Sequence, residues 1–219
     1  MWLTKVLAMS EATSSNSVGI IRPFGPSIAK IQMPPLLLKT INQYVDDEIS
    51  EEGKAIDYGH TLAGNVTQEL QLSNAFLEES GFLKFLAVTT KSWIQGAIGR
   101  DITKFDLKGC WAVRQFQGDY NPVHSHSGHI SGVGYLKLPS NFGSYKQKTK
   151  KNNKNGHIEF IHGDKNFLSN PVFSVTPEIA DFYLFPNYLL HTVYPFLGEG
   201  ERRSVSFNAI IDEQIYESV

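Results

Sequence analysis

The spacing of apolar residues along the chain changes near its middle. Up to about residue 100 they recur every three or four positions, and from Lys108 onward they alternate with polar residues. The first period is that of an amphipathic helix, and the second is that of a strand with one buried face. The pattern therefore predicts a helical first part followed by a strand-rich second part.

Two amphipathic helices are predicted in the first part. One follows Pro34 and Pro35, and the other spans about Ser80–Ile98. Their apolar stripes are Leu37, Ile41, Tyr44, Val45 and Ile49 in the first helix, and Phe82, Leu86, Trp93 and Ala97 in the second. Stripes of this kind are typical of helices that pack on a core, so both helices are expected to lie against a sheet.

Six strands are predicted in the second part, each rich in β-branched and aromatic residues and bounded by Gly, Asn or Pro. They are Trp111–Gln117, Ile130–Leu138, His157–Ile161, Val172–Thr176, Phe182–Phe185 and Arg203–Ile211. Short strands with turn signals between them favour an antiparallel sandwich or small barrel. With the helices placed ahead of the strands, the fold class is α+β: a jelly roll buttressed on one side by N-terminal helices.

The domain organisation is expected to be simple. Residues 1–18 form a flexible, mostly polar segment, and residues 19–219 form a single domain. Within that domain, the helical part covers about 34–100 and the β core about 108–212. A chain of 219 residues that is 41% hydrophobic is long enough for one core and does not require two.

Composition excludes several partners and compartments. The net charge of −2 gives no overall field that would attract nucleic acid or an anionic membrane. No run approaches the roughly 18 apolar residues that cross a bilayer. Cys110, the one cysteine, excludes an internal disulfide and favours a reducing compartment, so a cytoplasmic location is expected. Its apolar strand context indicates a buried thiol.

A lysine-rich segment, residues 144–156, leaves two interpretations open. Five lysines and no apolar residue follow Tyr145 in it, which predicts an exposed loop between strands. The loop is either a solvated insertion or a basic lip that contacts nucleic acid or an acidic partner. Nucleic acid is not the expected substrate, because aromatic residues are not interleaved with the lysines.

Three histidines within six residues are the first candidate for chemistry. His124 and His126 have the same parity in an extended chain and can aim two imidazoles at one point, whereas His129 has the opposite parity. His191, at the end of a buried strand, is the candidate third ligand. Imidazole binds Fe, Zn, Cu or Ni, so these residues alone do not choose the metal. The alternative is that they are loop residues with ordinary hydrogen bonds.

The C-terminal strand carries a second candidate set. Its apolar face consists of Val205, Phe207, Ala209 and Ile211. On the opposite face Arg202 is followed two residues later by Ser204. A guanidinium gives a two-pronged, charge-assisted contact to a carboxylate, and a hydroxyl can add one more donor. The pair therefore suits the distal carboxylate of a dicarboxylic acid.

The segment from Trp111 to Asn208 resembles the 2-oxoglutarate/Fe(II)-dependent dioxygenases, and most closely a bacterial and phage subgroup. The pieces that carry the resemblance are His124-Ser-His126, Ser131-Gly-Val-Gly-Tyr-Leu136, Leu184-Phe-Pro-Asn-Tyr-Leu-Leu-His191 and Glu201-Arg202-Arg-Ser204-Val-Ser-Phe-Asn208. The resemblance implies a double-stranded β-helix of the cupin-like type, with a metal at its mouth. It also implies the cytoplasm of a bacterium or of a phage-infected cell.

The resemblance assigns roles by position. It implies Fe(II), 2-oxoglutarate and O2 as cofactor and co-substrates. His124 matches the first metal ligand and His191 the distal one, Arg202 and Ser204 match the grip on 2-oxoglutarate, and Tyr120 and Tyr135 are candidates for further contacts to it.

One position departs from the wider family, which has Asp or Glu two residues after the first histidine. Here that residue is His126. The parity of the strand favours His126 as the third ligand, and Asp119 or Asp181 could supply a carboxylate only from a different spacing. An open ligand position is the remaining alternative.

The resulting expectation is a hydroxylase that acts on a protein or peptide side chain or a small metabolite, forming succinate and CO2. The substrate is expected over the metal, against residues 51–73, the 144–156 loop and either Trp111 or His162. Two rival hypotheses are a cupin-like three-histidine metal enzyme without 2-oxoglutarate and a non-catalytic jelly-roll binding module. The pattern carries no signal of oligomeric state.

Overall fold

The computed structural model describes residues 19–21, 25–49, 64–145, 149 and 152–218. The flexible segment predicted at residues 1–18 lies outside these ranges, as do residues 50–63 and part of the lysine-rich loop.

The described part of the chain combines short helices with antiparallel strands. The helices are α1 (Pro35–Tyr44), which continues as a π-helical turn (Val45–Ile49), then α2 (Asn74–Glu79), α3 (Phe82–Ile98) and α4 (Glu213–Tyr216). The strands are β1 (Gly19–Ile21), β2 (Ile28–Gln32), β3 (Gln68–Gln71), β4 (Phe105–Gln115), β5 (Asn121–His124), β6 (Ile130–Lys137), β7 (Ile158–Ile161), β8 (Val172–Val175), β9 (Asp181–Pro186), β10 (Leu190–Val193) and β11 (Arg202–Ile211).

The strands form two antiparallel sheets. The larger has the order β1-β2-β9-β6-β11-β4-β3, and the smaller has the order β5-β10-β7-β8. From β4 onward the chain alternates between the two sheets in the connections β4–β5–β6–β7 and β8–β9–β10–β11. This is the jelly-roll arrangement of a double-stranded β-helix, and it confirms the predicted fold.

The inner core lies between the two sheets. Its buried side chains come from both sheets: Ile28, Val133, Tyr135, Tyr183 and Phe185 from the larger, and Ile158, Phe160, Val175 and Val193 from the smaller, with Leu189 from the turn before β10. Alternate residues of each strand face this space, which leaves the other face of the large sheet for the helices.

The helices buttress the outer face of the large sheet. Phe82 and Leu86 of α3 are fully buried there, and the ring of Phe82 meets Phe182 edge to face. Each such side chain contributes roughly 1.5–3 kcal/mol of burial free energy. Gly134 on β6 makes this packing possible, because a Cβ at that position would come within 2.2 Å of the Phe182 ring.

Both predicted helices and all six predicted strands are confirmed, with shifted ends. The pattern missed the helices α2 and α4 and the strands β1, β2, β3, β5 and β10. These are three to six residues long, too short to display a period. β3 lies within residues 51–73, where no strand was predicted, and its partners in the ladder with β4 lie 40 to 46 positions away in the chain.

Two smaller expectations can also be compared with the fold. Cys110 lies buried on β4 as predicted, and burial raises the pKa of its thiol well above its usual value. Within the described ranges, no helix combines the length and the apolar character needed to pass through a bilayer.

Candidate active site

The smaller sheet brings three histidines together at one end. His124 is the last residue of β5, and its cross-strand partner on β10 is His191. His126 follows β5 by two residues. The ring centroids lie 4.3 Å apart for His124 and His191, and His126 is 4.9 Å from each. One ring nitrogen of each residue lies within 4.8 Å of the other two.

The spacing of the ring nitrogens fits a metal ion. Nε2 of His126 lies 3.1 Å from Nε2 of His191. Two imidazoles that bind one ion at about 2.1 Å and at a right angle place their nitrogens about 3.0 Å apart. The observed separation therefore fits two neighbouring ligands of one ion, and the three residues together could hold it.

Backbone carbonyls set the tautomers of two of these rings. Nδ1 of His124 lies 2.7 Å from the carbonyl oxygen of Pro122, and Nδ1 of His191 lies 2.9 Å from that of Leu189. A carbonyl only accepts, so in each ring Nδ1 carries the proton and Nε2 keeps its lone pair. Orientation of a ligand through its second nitrogen is typical of histidine metal sites.

The cluster also favours neutral imidazoles. Burial, and next the charge of His124, lower the pKa of His126 to about 4. Burial lowers the pKa of His191 to about 3, with His124 again the second cause. Both rings are therefore neutral near pH 7, and the neutral ring is the form that binds a metal.

Arg202 lies deeper, at the start of β11, with 1% of its surface exposed. Its Nε donates to the carbonyl oxygen of Gly156 at 3.2 Å, and its Nη1 donates to Oε1 of Gln115 at 2.5 Å. Its buried Nη2 has no hydrogen-bond partner, and no described carboxylate forms an ion pair with it. A buried cation with one donor unsatisfied calls for an anionic acceptor.

Tyr135 presents a second unsatisfied donor beside Arg202. Its ring centroid lies 5.1 Å from Cζ of Arg202, and its buried hydroxyl has no partner. Burial raises the pKa of Tyr135 to about 12, against an opposing effect of Arg202, so the hydroxyl keeps its proton. Two donors of this kind suit a carboxylate, as the distal end of 2-oxoglutarate would supply.

One cavity of about 240 Å³ joins the two sets. Of the residues predicted to bind the metal or 2-oxoglutarate, those that line it are His124, His126, His191, Arg202 and Ser204. Tyr135 is not one of the lining residues and lies beside Arg202. Ser204 is buried two residues beyond Arg202 on the same face of β11, as its parity predicted. Metal-binding and anion-binding groups from distant parts of the chain thus share one space.

Tyr120, predicted as a further contact to 2-oxoglutarate, is not among the residues that line the cavity. Its side chain is 41% exposed, and its backbone pairs with Asn65. The cause is a bulge: His191 pairs with His124, but Val193 pairs with Asn121 rather than with residue 122. The extra residue reverses the parity of the strand, so Asn121 faces the cavity where Tyr120 was expected.

The cavity also contains polar residues that were not predicted as site residues, among them Gln115, Asn121 and Glu69. Gln115 holds Arg202 and donates through Nε2 to Oδ1 of Asn121 at 3.0 Å. Gln115 is the cross-strand partner of Arg202. Its polar character on a strand of apolar neighbours was the available signal, but the pairing itself depends on the register of two distant strands.

Some of the residues expected near the substrate line the cavity, and others lie elsewhere. Trp111 lines the cavity, with its ring 6.2 Å from that of His126, and Glu69 comes from the segment 51–73. His162 lies instead at a separate, largely apolar cavity. His129, whose parity excluded it, points away and accepts a hydrogen bond on Nδ1 from the backbone of Ile211 at 3.3 Å.

Comparisons with known proteins found a family model and several solved structures that this chain resembles. Residues 109–208 match a family model described as "Putative 2OG-Fe(II) oxygenase". Among curated proteins, no sequence relative was found. The matched segment contains the histidine cluster, Arg202, Ser204 and Tyr135.

Several solved structures share the fold at low sequence identity. A Pseudomonas putida prolyl-4-hydroxylase is 15% identical with a TM-score of 0.55, over 83% of this chain and 91% of its own. A viral collagen prolyl hydroxylase from Paramecium Bursaria Chlorella virus-1, in complex with 2-oxoglutarate, is 14% identical with a TM-score of 0.53, over 83% and 94%. HygX from Streptomyces hygroscopicus, with nickel, 2-oxoglutarate and hygromycin B bound, is 12% identical with a TM-score of 0.54, over 82% and 81%.

Proposed function

We propose that this chain is a 2-oxoglutarate- and Fe(II)-dependent hydroxylase with a three-histidine iron site, and the match of residues 109–208 to an oxygenase family model supports this. His124, His126 and His191 hold Fe(II), while Arg202, Ser204 and Tyr135 hold the distal carboxylate of 2-oxoglutarate. The substrate is a protein or peptide side chain or a small metabolite, and the co-products are succinate and CO2.

One observation supports this proposal above the others. The three imidazoles and the buried, incompletely paired guanidinium of Arg202 line the same small cavity. A buried structural arginine usually has a carboxylate partner. The three histidines also offer ring nitrogens within 4.8 Å of one another, close enough to hold one metal ion together. The donor sets fit a metal and a dicarboxylate respectively.

In the proposed mechanism the bound iron supplies the oxidation chemistry, driven by decarboxylation of 2-oxoglutarate. The residues of this chain bind and orient. The carbonyls of Pro122 and Leu189 keep the Nε2 lone pairs of His124 and His191 directed at the ion. Arg202 and Tyr135 fix the far end of the co-substrate, and the surrounding apolar walls limit the access of water. No side chain acts as a nucleophile.

The cavity size supports a substrate that inserts only one group. A volume of about 240 Å³ lies below the roughly 300–1,000 Å³ of pockets that enclose a whole small-molecule ligand. With a five-carbon dicarboxylate in place, the remaining space suits a side chain or a projecting ring of a larger molecule. Two fold relatives are named as prolyl hydroxylases and another binds hygromycin B, which is consistent with both substrate classes.

The second candidate is a three-histidine metal enzyme that does not use 2-oxoglutarate. His126 favours it, because a third neutral ligand replaces the family's carboxylate. In this second candidate Arg202 would have a structural role. The Nη2 atom of Arg202, which is buried without a hydrogen-bond partner, weighs against that role. A non-catalytic binding module leaves both donor sets without a purpose.

Anaerobic titration separates the candidates. Protein loaded with Fe(II) is titrated with 2-oxoglutarate, and the visible charge-transfer band of a chelated keto acid is followed. We expect the band in the parent protein, its loss in His126→Ala and His191→Ala, and its retention in His157→Ala. His157 is the matched control, because it bonds Ser174 and Thr176 away from the cluster.

The outcomes decide between the three functions. Metal binding without the band supports the three-histidine enzyme, and absence of metal binding supports the binding module. Succinate formation with ascorbate and O2 should accompany the band, even in uncoupled turnover. A band that persists in His126→Ala while it disappears in His191→Ala would remove His126 from the ligand set.

A further inference from the structure

Asn187, in the turn between β9 and β10, contacts the loop that carries the histidines through three of its atoms. Its backbone N–H donates to the carbonyl oxygen of His129 at 3.1 Å, and its own carbonyl accepts the backbone N–H of His126 at 3.0 Å. Its side-chain Nδ2 donates to the carbonyl oxygen of His126 at 3.1 Å. One residue thus ties two segments together.

Tyr216 of α4 fixes the orientation of this side chain. Nδ2 of Asn187 faces a carbonyl, which can only accept, so Oδ1 faces the Tyr216 hydroxyl and accepts from it at 3.3 Å. The Tyr216 ring stacks on His129, with centroids 3.9 Å apart and planes 3° from parallel. The C-terminal helix therefore holds the amide with its donor directed at His126.

His126 depends on these contacts more than the other two histidines do. His124 and His191 lie in β5 and β10 and are held by the ladder between those strands. His126 follows the end of β5, and within the described part of the chain both hydrogen bonds of its backbone are made with Asn187. The same turn contains Leu189, whose carbonyl orients His191.

We propose that Asn187, oriented by Tyr216, is a positioning residue that sets His126 against His191. This inference rests on the proposed function, in which those imidazoles bind the metal. Without the amide, the backbone of His126 loses one of its two anchors, and the cluster is no longer preorganised. Outer partners of metal ligands typically alter metal affinity about 10- to 100-fold.

The test uses Co(II) as the probe, in anaerobic titrations of the full chain followed by its visible spectrum. We expect Asn187→Ala to weaken Co(II) binding about 10- to 100-fold and to change the ligand-field bands. Tyr216→Phe, which removes one hydroxyl, should weaken it by a smaller factor. Asn170→Ala is the matched control, because this turn asparagine holds only the backbone of Val172.

Thermal unfolding of the metal-free proteins separates positioning from general stability. If Asn187→Ala does not fold, Asn187→Ser, which keeps one hydrogen-bonding group at this position, replaces it in the titration. Variants with wild-type Co(II) affinity and spectrum overturn the positioning role, whatever their melting temperatures. A wild-type protein that binds no Co(II) instead overturns the proposed metal site, and with it this inference.

Discussion

Two consecutive arginines on β11 are both buried but lie on opposite faces of the strand. Arg203 faces the helical layer with none of its surface exposed, and Arg202 faces the cavity with 1% exposed. Arg203 contacts Glu201 through Nε at 2.7 Å and Nη2 at 2.9 Å, and Asp46 through Nη2 at 2.6 Å. Arg202 has only neutral acceptors, Gln115 and Gly156.

The difference separates structural from ligand-binding roles. Removal of a cation from water is costly, and a carboxylate partner offsets that cost in the folded protein. Arg203 has such partners and ties β11 to the π-helical turn that contains Asp46. Arg202 has none among the described residues, and burial lowers its pKa. Its charge is retained at a cost to the folded chain, which is the behaviour expected of a group reserved for a ligand.

The largest effect on stability is expected for Arg203→Met. This change removes the buried cation that Glu201 and Asp46 share, although Glu201 keeps its contacts to Arg114 and Lys137. It should lower the free energy of unfolding by roughly 3–4 kcal/mol. Urea unfolding measures the loss, and the folded fraction should still bind 2-oxoglutarate. Unchanged stability would contradict the structural role of Arg203.

The next largest effect is expected for Arg202→Met. Here the affinity for 2-oxoglutarate should fall while the stability of the fold is kept. The affinity for 2-oxoglutarate should fall by about 3 kcal/mol, more than a hundredfold, because a buried charge-assisted contact is removed. The charge-transfer titration measures it, with Arg203→Met as the control. Stability should fall little or even rise, since an incompletely paired cation is removed. A variant with a clearly lower free energy of unfolding but an unchanged affinity for 2-oxoglutarate would instead make Arg202 structural.

Acid should weaken the ion pairs of Arg203 and leave the contacts of Arg202 to its neutral partners unchanged. Burial would raise the pKa of Glu201, but hydrogen bonds from Arg203 and Arg114 lower it from 4.5 to about 2. The unfolded chain then binds more protons between these values, so this stabilisation is complete above about pH 4.5 and is lost as the pH falls through about 2. The expected loss is about 2 kcal/mol. Urea unfolding across this range should show a shallower pH dependence in Glu201→Gln.

The smallest effect is expected for Tyr135→Phe. Removal of one hydroxyl donor should weaken 2-oxoglutarate binding by about 1 kcal/mol, roughly fivefold, with little change in stability. Tyr194→Phe is the matched control, because its hydroxyl donates to Glu159 rather than towards Arg202. Equal affinities in the parent protein and Tyr135→Phe would show that this hydroxyl does not contact the co-substrate.

The site was predictable where it depended on periodicity within one segment. Residues two apart in a strand point to the same side. Strand parity alone therefore predicted that His124 and His126 face one side together, and likewise Arg202 and Ser204. Tyr120 was assigned by its position in the family resemblance, not by parity. One bulge in β5 reverses the parity there, and a bulge depends on the partner strand. Gln115 was missed because it acts through a cross-strand neighbour.

The sequence by itself determined the α+β class, the two long helices, the order of the main strands and the residues able to bind a metal and a carboxylate. These follow from local periods and from the chemistry of side chains. Tertiary structure alone decided that Arg202 is the arginine without a carboxylate partner, that Asn121 replaces Tyr120, and that Asn187 anchors His126. Those outcomes depend on register and on contacts between residues far apart in the chain, which no local pattern records.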